Sequence, residues 1–270
     1  EMQRSLVGSE MCIRDRCRDV CRDEISVLTY YDLSKTNDVP ICVHCGQCAN
    51  VCPVNSITEK SEVDTLKAAI ADSEKLVIVS TSPSVRVSIG EGFGEDPGTF
   101  SEGKMVALLR ALGFDIVLDT DFAADMTIVE EASELLSRVT KKSAPLPQFT
   151  SCCPAWVKFV ETYYPDLLPN ISSAKSPIGM QGPTIKSWYA KKQGIDPKTI
   201  MNVCLTPCTA KKFEIRREEM NSSATYWNEP SLRDMDLCIT TRELIAWAND
   251  AGIDYKELPE SDFDSLMSET

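Results

Sequence analysis

The sequence predicts an α/β protein in which mostly parallel strands carry flanking helices, preceded by a small α+β domain rich in cysteine. Short apolar runs alternate with segments of helical period, and turn-forming residues close the runs. Seven of the twelve cysteines fall before residue 53. Strands interleaved with helices usually lie parallel, so functional sites are expected at their carboxyl ends. A chain of 270 residues is long enough for a small and a larger domain.

The elements of the larger domain follow one another in regular alternation. "ITEKSEVDTLKAAIADSEK" predicts a helical connection out of the cysteine-rich segment. A buried strand and a Ser/Pro turn are expected over 75–94, and helix, strand and helix over 104–139. "IMNVCLTPC" predicts a buried strand that ends in a turn, and "DLCITTRELIAWANDAGI" a strand followed by a helix. Cys204 and Cys238 lie within these last two strands and are interpreted as small core residues.

Charge and hydropathy exclude several classes of partner. The net charge is −13, which argues against nucleic acid because phosphate binding requires basic patches. The longest apolar runs are far shorter than the ~20 residues of a membrane span, and no signal-peptide pattern is visible. We therefore expect a cytoplasmic protein with no membrane partner. Clustered thiols in such a chain favour metal binding over a disulfide framework.

Residues 42–53, "CVHCGQCANVCP", have the cysteine spacing and trailing proline of a bacterial ferredoxin run. Thiolates at this spacing hold a 4Fe–4S cube, and Gly46 permits a tight turn beside it; a zinc site is the alternative. The fourth cysteine of each run in two-cluster ferredoxins serves the other cluster. We therefore expect two clusters. The ligands of the first are Cys21, Cys42, Cys45 and Cys48, and those contributed to the second are Cys17 and Cys52.

The second cluster lacks two ligands, because the positions where the earlier run should begin hold Met11 and Arg14. Residues 1–16 resemble the translation of a common transposase-type sequencing adaptor, which would make Cys12 an artefact; a genuine N-terminal helix is the alternative. The domain organisation expected is therefore 1–16 non-native, 17–62 ferredoxin-like and truncated, and 63–270 catalytic.

Two further motifs stand at predicted strand ends or turns, "FTSCCPAW" at 149–156 and "TPCTAKKFE" at 206–214. Adjacent cysteines point in different directions, so one of Cys152 and Cys153 can bind a metal while the other acts as an acid or base. Lys211, three residues after Cys208, can donate hydrogen bonds to an anionic ligand.

With these motifs the sequence resembles the FeFe (iron-only) hydrogenases over nearly all of 17–270, including "EEASELLSR" and "SSAKSP". The resemblance implies the fold of the iron-only hydrogenase catalytic domain and reversible reduction of protons to H₂. It implies electrons from ferredoxin or a similar carrier. The cofactors implied are two accessory 4Fe–4S clusters, one incompletely ligated here, and an H-cluster. That cluster is a 4Fe–4S cube joined to a di-iron unit that carries CO, cyanide and a dithiolate.

The resemblance also implies residue roles. Cys153 and Cys208 would bind the cube, Cys152 would pass protons to the dithiolate, and Lys211 would donate a hydrogen bond to a cyanide. A proton relay would lead from Cys152 to the surface, although a solvated helix face is the alternative for its glutamates and arginine. The relay residues are Glu131, Glu134, Arg138 and Ser172, and the residues lining the cofactor pocket are Ser82, Pro83, Ser84, Thr206 and Pro207.

The sequence departs from the family pattern in two respects. Ala155 and Thr206 stand where well-studied members have glycine and methionine, which puts the subgroup in doubt. The third cysteine motif of the family is not in the chain, which ends at "PESDFDSLMSET"; we expect a fragment clipped at both ends and inactive alone. The alternatives are a non-catalytic iron–sulfur assembly factor, whose members generally lack the thiol at Cys152, and a hydrogen-sensing paralogue.

Overall fold

A computed structural model describes residues 16–25, 27 and 41–265. Within this part of the chain four strands form one parallel sheet in the order β2-β1-β3-β4. The predicted α/β fold with a parallel sheet is thereby confirmed. The expected non-native segment lies outside the described residues except for Arg16. The strands are β1 (Leu76–Thr81), β2 (Ile116–Asp119), β3 (Ile200–Thr206) and β4 (Leu237–Thr240).

Helices lie where the sequence predicts them, at 57–75, within 104–139 and after β4, and further helices occupy stretches for which none was predicted. Two π-helical turns lie at Val20–Glu24 and Ile185–Tyr189. Short 3₁₀ turns lie at Pro83–Val87, Gly90–Phe93, Pro165–Asn170 and Tyr255–Glu257. The α-helices are α1 (Arg16–Asp19), α2 (Gln47–Asn50), α3 (Val63–Ile70), α4 (Glu102–Ala111), α5 (Asp121–Lys141), α6 (Pro154–Tyr163), α7 (Pro177–Thr184), α8 (Ala190–Gln193), α9 (Ala210–Glu214), α10 (Ser222–Trp227) and α11 (Thr241–Asp250).

Both faces of the sheet are buried, as its nearly continuous apolar strands require. Val77 and Val79 point into a core shared with α3, α4 and α11, whereas Ile78 points into a core on the other face. Cys204 and Cys238 lie directly opposite each other on β3 and β4, and both are 0% exposed. Their interpretation as core residues is confirmed. Among the described residues no helix is long and apolar enough to cross a bilayer.

The strand order places a crevice between β1 and β3. The chain passes from β1 to β2 on one side and later inserts β3 on the other, so the direction of winding reverses between them. Ligands of open α/β sheets bind at the carboxyl ends of strands beside such a reversal. There the Ser82 amide donates a hydrogen bond to the Leu205 carbonyl at 2.9 Å. The turns that follow β1 and β3 therefore lie side by side.

The cysteine-rich segment packs directly on the α/β domain. The Tyr163 hydroxyl of α6 accepts a hydrogen bond from the Ile41 amide at 3.1 Å and donates one to the Ile41 carbonyl at 3.0 Å. Its ring packs with Val27 and Val43 in a small apolar cluster. The run of cysteines is thus seated on the helix that begins just after Cys153.

A second attachment, here called the linker anchor, consists of Glu59 and Glu62 with the basic side chains that bind them. The Glu62 carboxylate accepts from Arg216 at 2.6 Å and from the Cys238 amide at 2.9 Å. The Glu59 carboxylate accepts from Arg242 at 3.0 Å. The linker anchor joins the segment to β4 and α11.

Candidate functional site

Five cysteine thiols near the amino terminus of the described chain lie close enough to affect one another. Burial raises the pKa of Cys21, and neighbouring thiols raise it further; they are, in order of effect, Cys45, Cys42, Cys48 and Cys17. The four cysteines predicted to share one cluster are therefore brought together. In the residues that the structure describes, no group of three or more His, Cys, Asp or Glu side chains is arranged to hold a single metal ion.

The turn that carries these thiols needs glycine at its centre. Gly46 has a φ of +77°, in the left-handed region that the sequence predicted for a tight turn. A Cβ at this position would lie 1.9 Å from the Thr209 hydroxyl oxygen. An all-thiol donor set around a turn with no side chain at its centre fits a 4Fe–4S cluster.

Cys52 lies in a different environment from the other thiols of the run. Its Sγ is 3.3 Å from the Ser56 hydroxyl. Hydrogen bonds from the Ser56 side chain, and from the backbone at Val54 and Ile57, lower the pKa of Cys52 to about 7. A thiol with this pKa is ionised in a large fraction of molecules at neutral pH, which favours metal binding. That Cys52 shares a second cluster with Cys17 stays a prediction.

The predicted cofactor-pocket residues lie on the two turns beside the sheet reversal. Pro83 opens the 3₁₀ turn after β1, and both it and Ser84 are exposed. Thr206 is buried at the end of β3, where its hydroxyl accepts a hydrogen bond from the Cys208 amide at 3.3 Å. This bond shapes the turn that presents Cys208. The predicted lining residues therefore lie on two adjacent turns, and their role in lining a cofactor pocket stays a prediction.

The adjacent cysteines stand just before α6, with Pro154 at its first turn. Both Cys152 and Cys153 are exposed. The Lys211 ammonium of α9 donates to the Cys152 carbonyl at 2.8 Å and to the Glu214 carboxylate at 2.7 Å. This lysine ties the two cysteine motifs of the α/β domain together across 59 residues of sequence.

Glu214 is the partner that fixes the Lys211 side chain. It is only 4% exposed, so its carboxylate needs the lysine charge beside it. An ammonium has three donors, and two are used here. The third donor of Lys211 has no acceptor in the part of the chain that the structure describes, and the role in binding an anionic group stays a prediction.

Three of the four predicted relay residues form one hydrogen-bonded chain. The Ser172 hydroxyl donates to the Glu134 carboxylate at 2.6 Å, and the Arg138 guanidinium donates to it at 2.6 Å. Partial burial acts to raise the pKa of Glu134, but the hydrogen bonds from Ser172 and Arg138 outweigh it and lower the pKa. Glu134 therefore rests as a carboxylate that can accept a proton.

Arg138 is buried rather than solvated, with 3% of its surface exposed. Besides binding Glu134 it donates to the carbonyls of Pro145, Pro169 and Ile171, at 2.9, 3.0 and 2.9 Å. The alternative of a solvated helix face does not describe this side chain. Its contacts hold the segment before Ser172 against α5.

Glu131 occupies the same helix face one turn earlier, but its side chain does not join the hydrogen bonds that Glu134 makes. Its Oε1 is buried and has no hydrogen-bond partner among the described residues. The Ser151 hydroxyl donates to the Ala174 carbonyl, and the Ser172 hydroxyl accepts from the Ala174 amide at 3.2 Å. These contacts place the cysteine turn and the relay on neighbouring loops.

A surface cleft of about 500 Å³ opens beside Glu134. Its walls include Ser173 and Lys175, and the Ser173 amide donates to the Glu134 carboxylate at 3.0 Å. The predicted relay therefore borders a cleft that is open to solvent.

The sequence reasoning missed several residues of the site. The spacing of Lys211 and Glu214 by three is a helical ion-pair signal that was open to detection. Thr209 and Phe213 lie in the same motif and contact the cysteine run: the His44 ring stacks on Phe213 with centroids 4.5 Å apart. No local pattern indicates these contacts, because they join positions more than 160 residues apart.

Comparison with protein-family models gives two matches. The model described as the iron-only hydrogenase large subunit, C-terminal domain, matches residues 75–270. The model of the 4Fe–4S binding domain matches residues 38–58, which contain the cysteine run.

Curated relatives include hydrogenases and iron–sulfur assembly proteins. The chain is 45% identical over 232 residues to the NADP-reducing hydrogenase subunit HndD of Solidesulfovibrio fructosivorans, covering 84% of this chain and 38% of that protein. It is 47% identical over 217 residues to iron hydrogenase 1 of Clostridium pasteurianum, covering 80% and 36%. It is 32% identical over 237 residues to the cytosolic iron–sulfur assembly component 3 of Bos taurus, covering 84% and 48%. The chain thus spans less than half the length of these relatives.

Solved structures agree with the family match. An apo FeFe hydrogenase from Chlamydomonas reinhardtii superposes with a TM-score of 0.71 at 42% identity, covering 77% of this chain and 52% of that one. Another FeFe hydrogenase structure gives a TM-score of 0.72 at 43% identity, with the same coverage. With the parallel sheet, the cysteine turns and these matches together, the chain belongs to the iron-only hydrogenase large-subunit family.

Proposed function

We propose that this chain is the part of an FeFe hydrogenase that receives electrons, passes protons and holds one side of the active centre. The reaction is the reversible reduction of protons to H₂. The observation that carries the proposal is the hydrogen bond from Lys211 to the Cys152 carbonyl, which fastens the two cysteine turns at the sheet reversal. Residues 17–62 form the accessory domain in this proposal and 63–270 the catalytic domain.

The two turns supply the ligands on this side of the active centre. Cys153 and Cys208 would bind the 4Fe–4S cube, Lys211 would donate a hydrogen bond to a cyanide, and Ser82, Pro83, Ser84, Thr206 and Pro207 would line the pocket. When bound, the H-cluster supplies the iron site at which protons and electrons combine. The buried Glu214 carboxylate pairs with the Lys211 ammonium and fixes the position of that side chain.

Protons move through this chain's own side chains. Cys152, exposed in the turn before α6, exchanges a proton with the active centre. Ser172 and Glu134 carry the proton onward, and Arg138 holds Glu134 in place. Glu131 is assigned to the same route, and its buried Oε1, which has no partner among the described residues, is the atom that a proton carrier would meet. Support comes from the Ser172–Glu134–Arg138 hydrogen bonds and from the cleft beside Glu134.

Electrons enter through the cysteine run. Cys21, Cys42, Cys45 and Cys48 would hold the 4Fe–4S cluster that receives electrons from a ferredoxin-type carrier, and Cys17 and Cys52 would contribute to a second cluster. We place the protein in the cytoplasm, although one relative, from Nitratidesulfovibrio vulgaris, is named a periplasmic hydrogenase large subunit. Fractionation of cells that produce the protein would test this location.

The proposal is tested on the full-length gene product that contains this sequence, loaded with its di-iron cofactor. Cys152→Ala is expected to reduce H₂ evolution from reduced methyl viologen by a factor of about 10² or more, because a positioned proton donor is lost. Cys204→Val is the control, since it removes a buried thiol of the sheet at similar volume. Infrared bands of CO and cyanide establish equal loading. Wild-type turnover by the Cys152 variant at equal loading would overturn the assignment.

A non-catalytic iron–sulfur assembly factor is the second candidate, favoured by the relative from Bos taurus and others of the same name. Such a protein would bind 4Fe–4S clusters but show no CO or cyanide bands and no H₂ turnover after loading. The Cys152 thiol, the paired Lys211 and the relay chain favour the hydrogenase.

A further inference from the structure

The cysteine run touches the turn of the α/β domain that carries Cys208. Gly46 stands between Cys45 and Cys48, and Thr209 follows Cys208 directly. The 1.9 Å approach of a hypothetical Cβ at Gly46 to the Thr209 Oγ1 shows that this hydroxyl lies against the Gly46 backbone. Two residues next to predicted ligands of different iron centres are therefore in direct contact.

The Thr209 hydroxyl makes no hydrogen bond that the described residues account for. Its oxygen is buried, and it has no hydrogen-bond partner among the residues that the structure describes. A buried hydroxyl without a partner costs about 1–3 kcal/mol, so such groups generally serve a bound group or water. A cluster on the 42–48 run would bring thiolate and sulfide sulfurs, which accept hydrogen bonds, to the turn that Thr209 contacts.

The contact is held in place from a second direction. The His44 ring stacks on Phe213 at an interplanar angle of 12°, and the Lys158 ammonium lies 5.7 Å from the centroid of the same phenyl ring. His44 and Gly46 belong to the cysteine run, whereas Thr209 and Phe213 belong to the motif that begins α9. The run cannot shift along α9 without breaking both contacts.

We propose that Thr209 is a positioning residue between the two iron centres: its hydroxyl donates a hydrogen bond to a sulfur of the accessory cluster held by the 42–48 run. This bond fixes that cluster beside the Cys208 turn and raises its reduction potential. The hydrogen bond requires only the accessory cluster. That this cluster delivers electrons to the active centre rests on the proposed function.

The direction of the effect follows from charge. Reduction adds one negative charge to the cluster, and a hydrogen bond to a cluster sulfur stabilises the more negative state. Removing the donor should therefore make the cluster harder to reduce. The effect belongs to the hydroxyl and not to the volume of the side chain.

The test uses the full chain reconstituted with iron and sulfide alone, and follows the reduced cluster by EPR at fixed solution potentials. Thr209→Val keeps the shape without the hydroxyl, and Thr209→Ser keeps the hydroxyl without the methyl group. We expect the ratio of reduced to oxidised cluster to fall about tenfold in the valine variant, a shift of about 59 mV for a one-electron couple. The serine variant should stay within about twofold of wild type.

An unchanged ratio in the valine variant, or equal shifts in both variants, would overturn the proposal. If the valine variant fails to assemble its cluster, exchangeable-proton couplings of the reduced cluster in H₂O and D₂O provide a second measurement. The wild type should show a coupling that Thr209→Ala lacks and Thr209→Ser retains, and its absence from the wild type would also overturn the proposal. The EPR measurement uses protein without the di-iron cofactor. Its outcome is therefore independent of whether the loaded protein turns over H₂.

Discussion

Glu134 binds a serine on one loop and a buried arginine on its own helix with a single carboxylate. The hydrogen bonds from these partners lower its pKa in the folded protein against the opposing effect of burial. Protonation therefore weakens the folded state more than the unfolded one. The stabilisation is complete above the pKa of an unfolded glutamate, about 4.3, and is lost as the pH falls through the lower folded value.

Glu134→Gln is expected to unfold about 2 kcal/mol more easily at pH 7, because the buried Arg138 loses its charged acceptor. The difference from wild type should shrink as the pH falls from 6 to 3, as measured by urea denaturation at each pH. Ser172→Ala removes one of the groups that lower the pKa, so its loss of stability should also diminish in acid. A difference that stays constant across this range would contradict the account.

At the level of single residues, the sequence indicates candidate chemical groups more readily than the groups that hold them. Cys152, Cys208 and Lys211 stand in short motifs whose residue types and spacing point to metal chemistry. The contacts of Glu214 and Thr209 could be identified only once α9 was placed against the cysteine turns. Arg138 was predicted to act in proton transfer, but its bonds to three carbonyls show that it also holds a loop.

Among the elements, α11 begins with a complete capping box. The Thr240 hydroxyl accepts from the Glu243 amide at 3.2 Å, and the Thr240 amide donates to the Glu243 carboxylate at 2.7 Å. The "TTRE" stretch therefore stops β4 and starts α11 without a loop. Strands and helices were predictable in such places because their start signals are local.

Thr240→Val should destabilise the protein by about 1 kcal/mol through loss of the cap, measured by chemical denaturation. Thr241→Val is the matched control, because the Thr241 hydroxyl is buried and has no partner in the described part of the chain. That change should be close to neutral, or stabilising. Equal losses in the two variants would show that the cap does not account for the stability of this junction.

In the whole molecule, the linker anchor decides how firmly the cysteine-rich segment is attached. Glu62→Ala leaves the Cys238 amide and the Arg216 guanidinium without their acceptor. Local opening near 53–62 should become more frequent, so trypsin should cleave after the exposed Lys60 several-fold faster than in wild type. Glu74→Ala, at an exposed site before β1, is the control, and equal cleavage rates in the two variants would contradict the role of the anchor.

The linker anchor also limits how this protein can be recombined with others. A ferredoxin-like segment transplanted from a different protein would meet Arg216 and Arg242 at its carboxyl end, and the Thr209 hydroxyl where its loop turns. Without two glutamates at the positions of Glu59 and Glu62 and a glycine at that of Gly46, the graft would leave cations unpaired and clash with α9. A working chimaera therefore needs its junction placed after residue 62. The protein that supplies the cluster-binding segment then also supplies the two glutamates that attach it to the α/β domain.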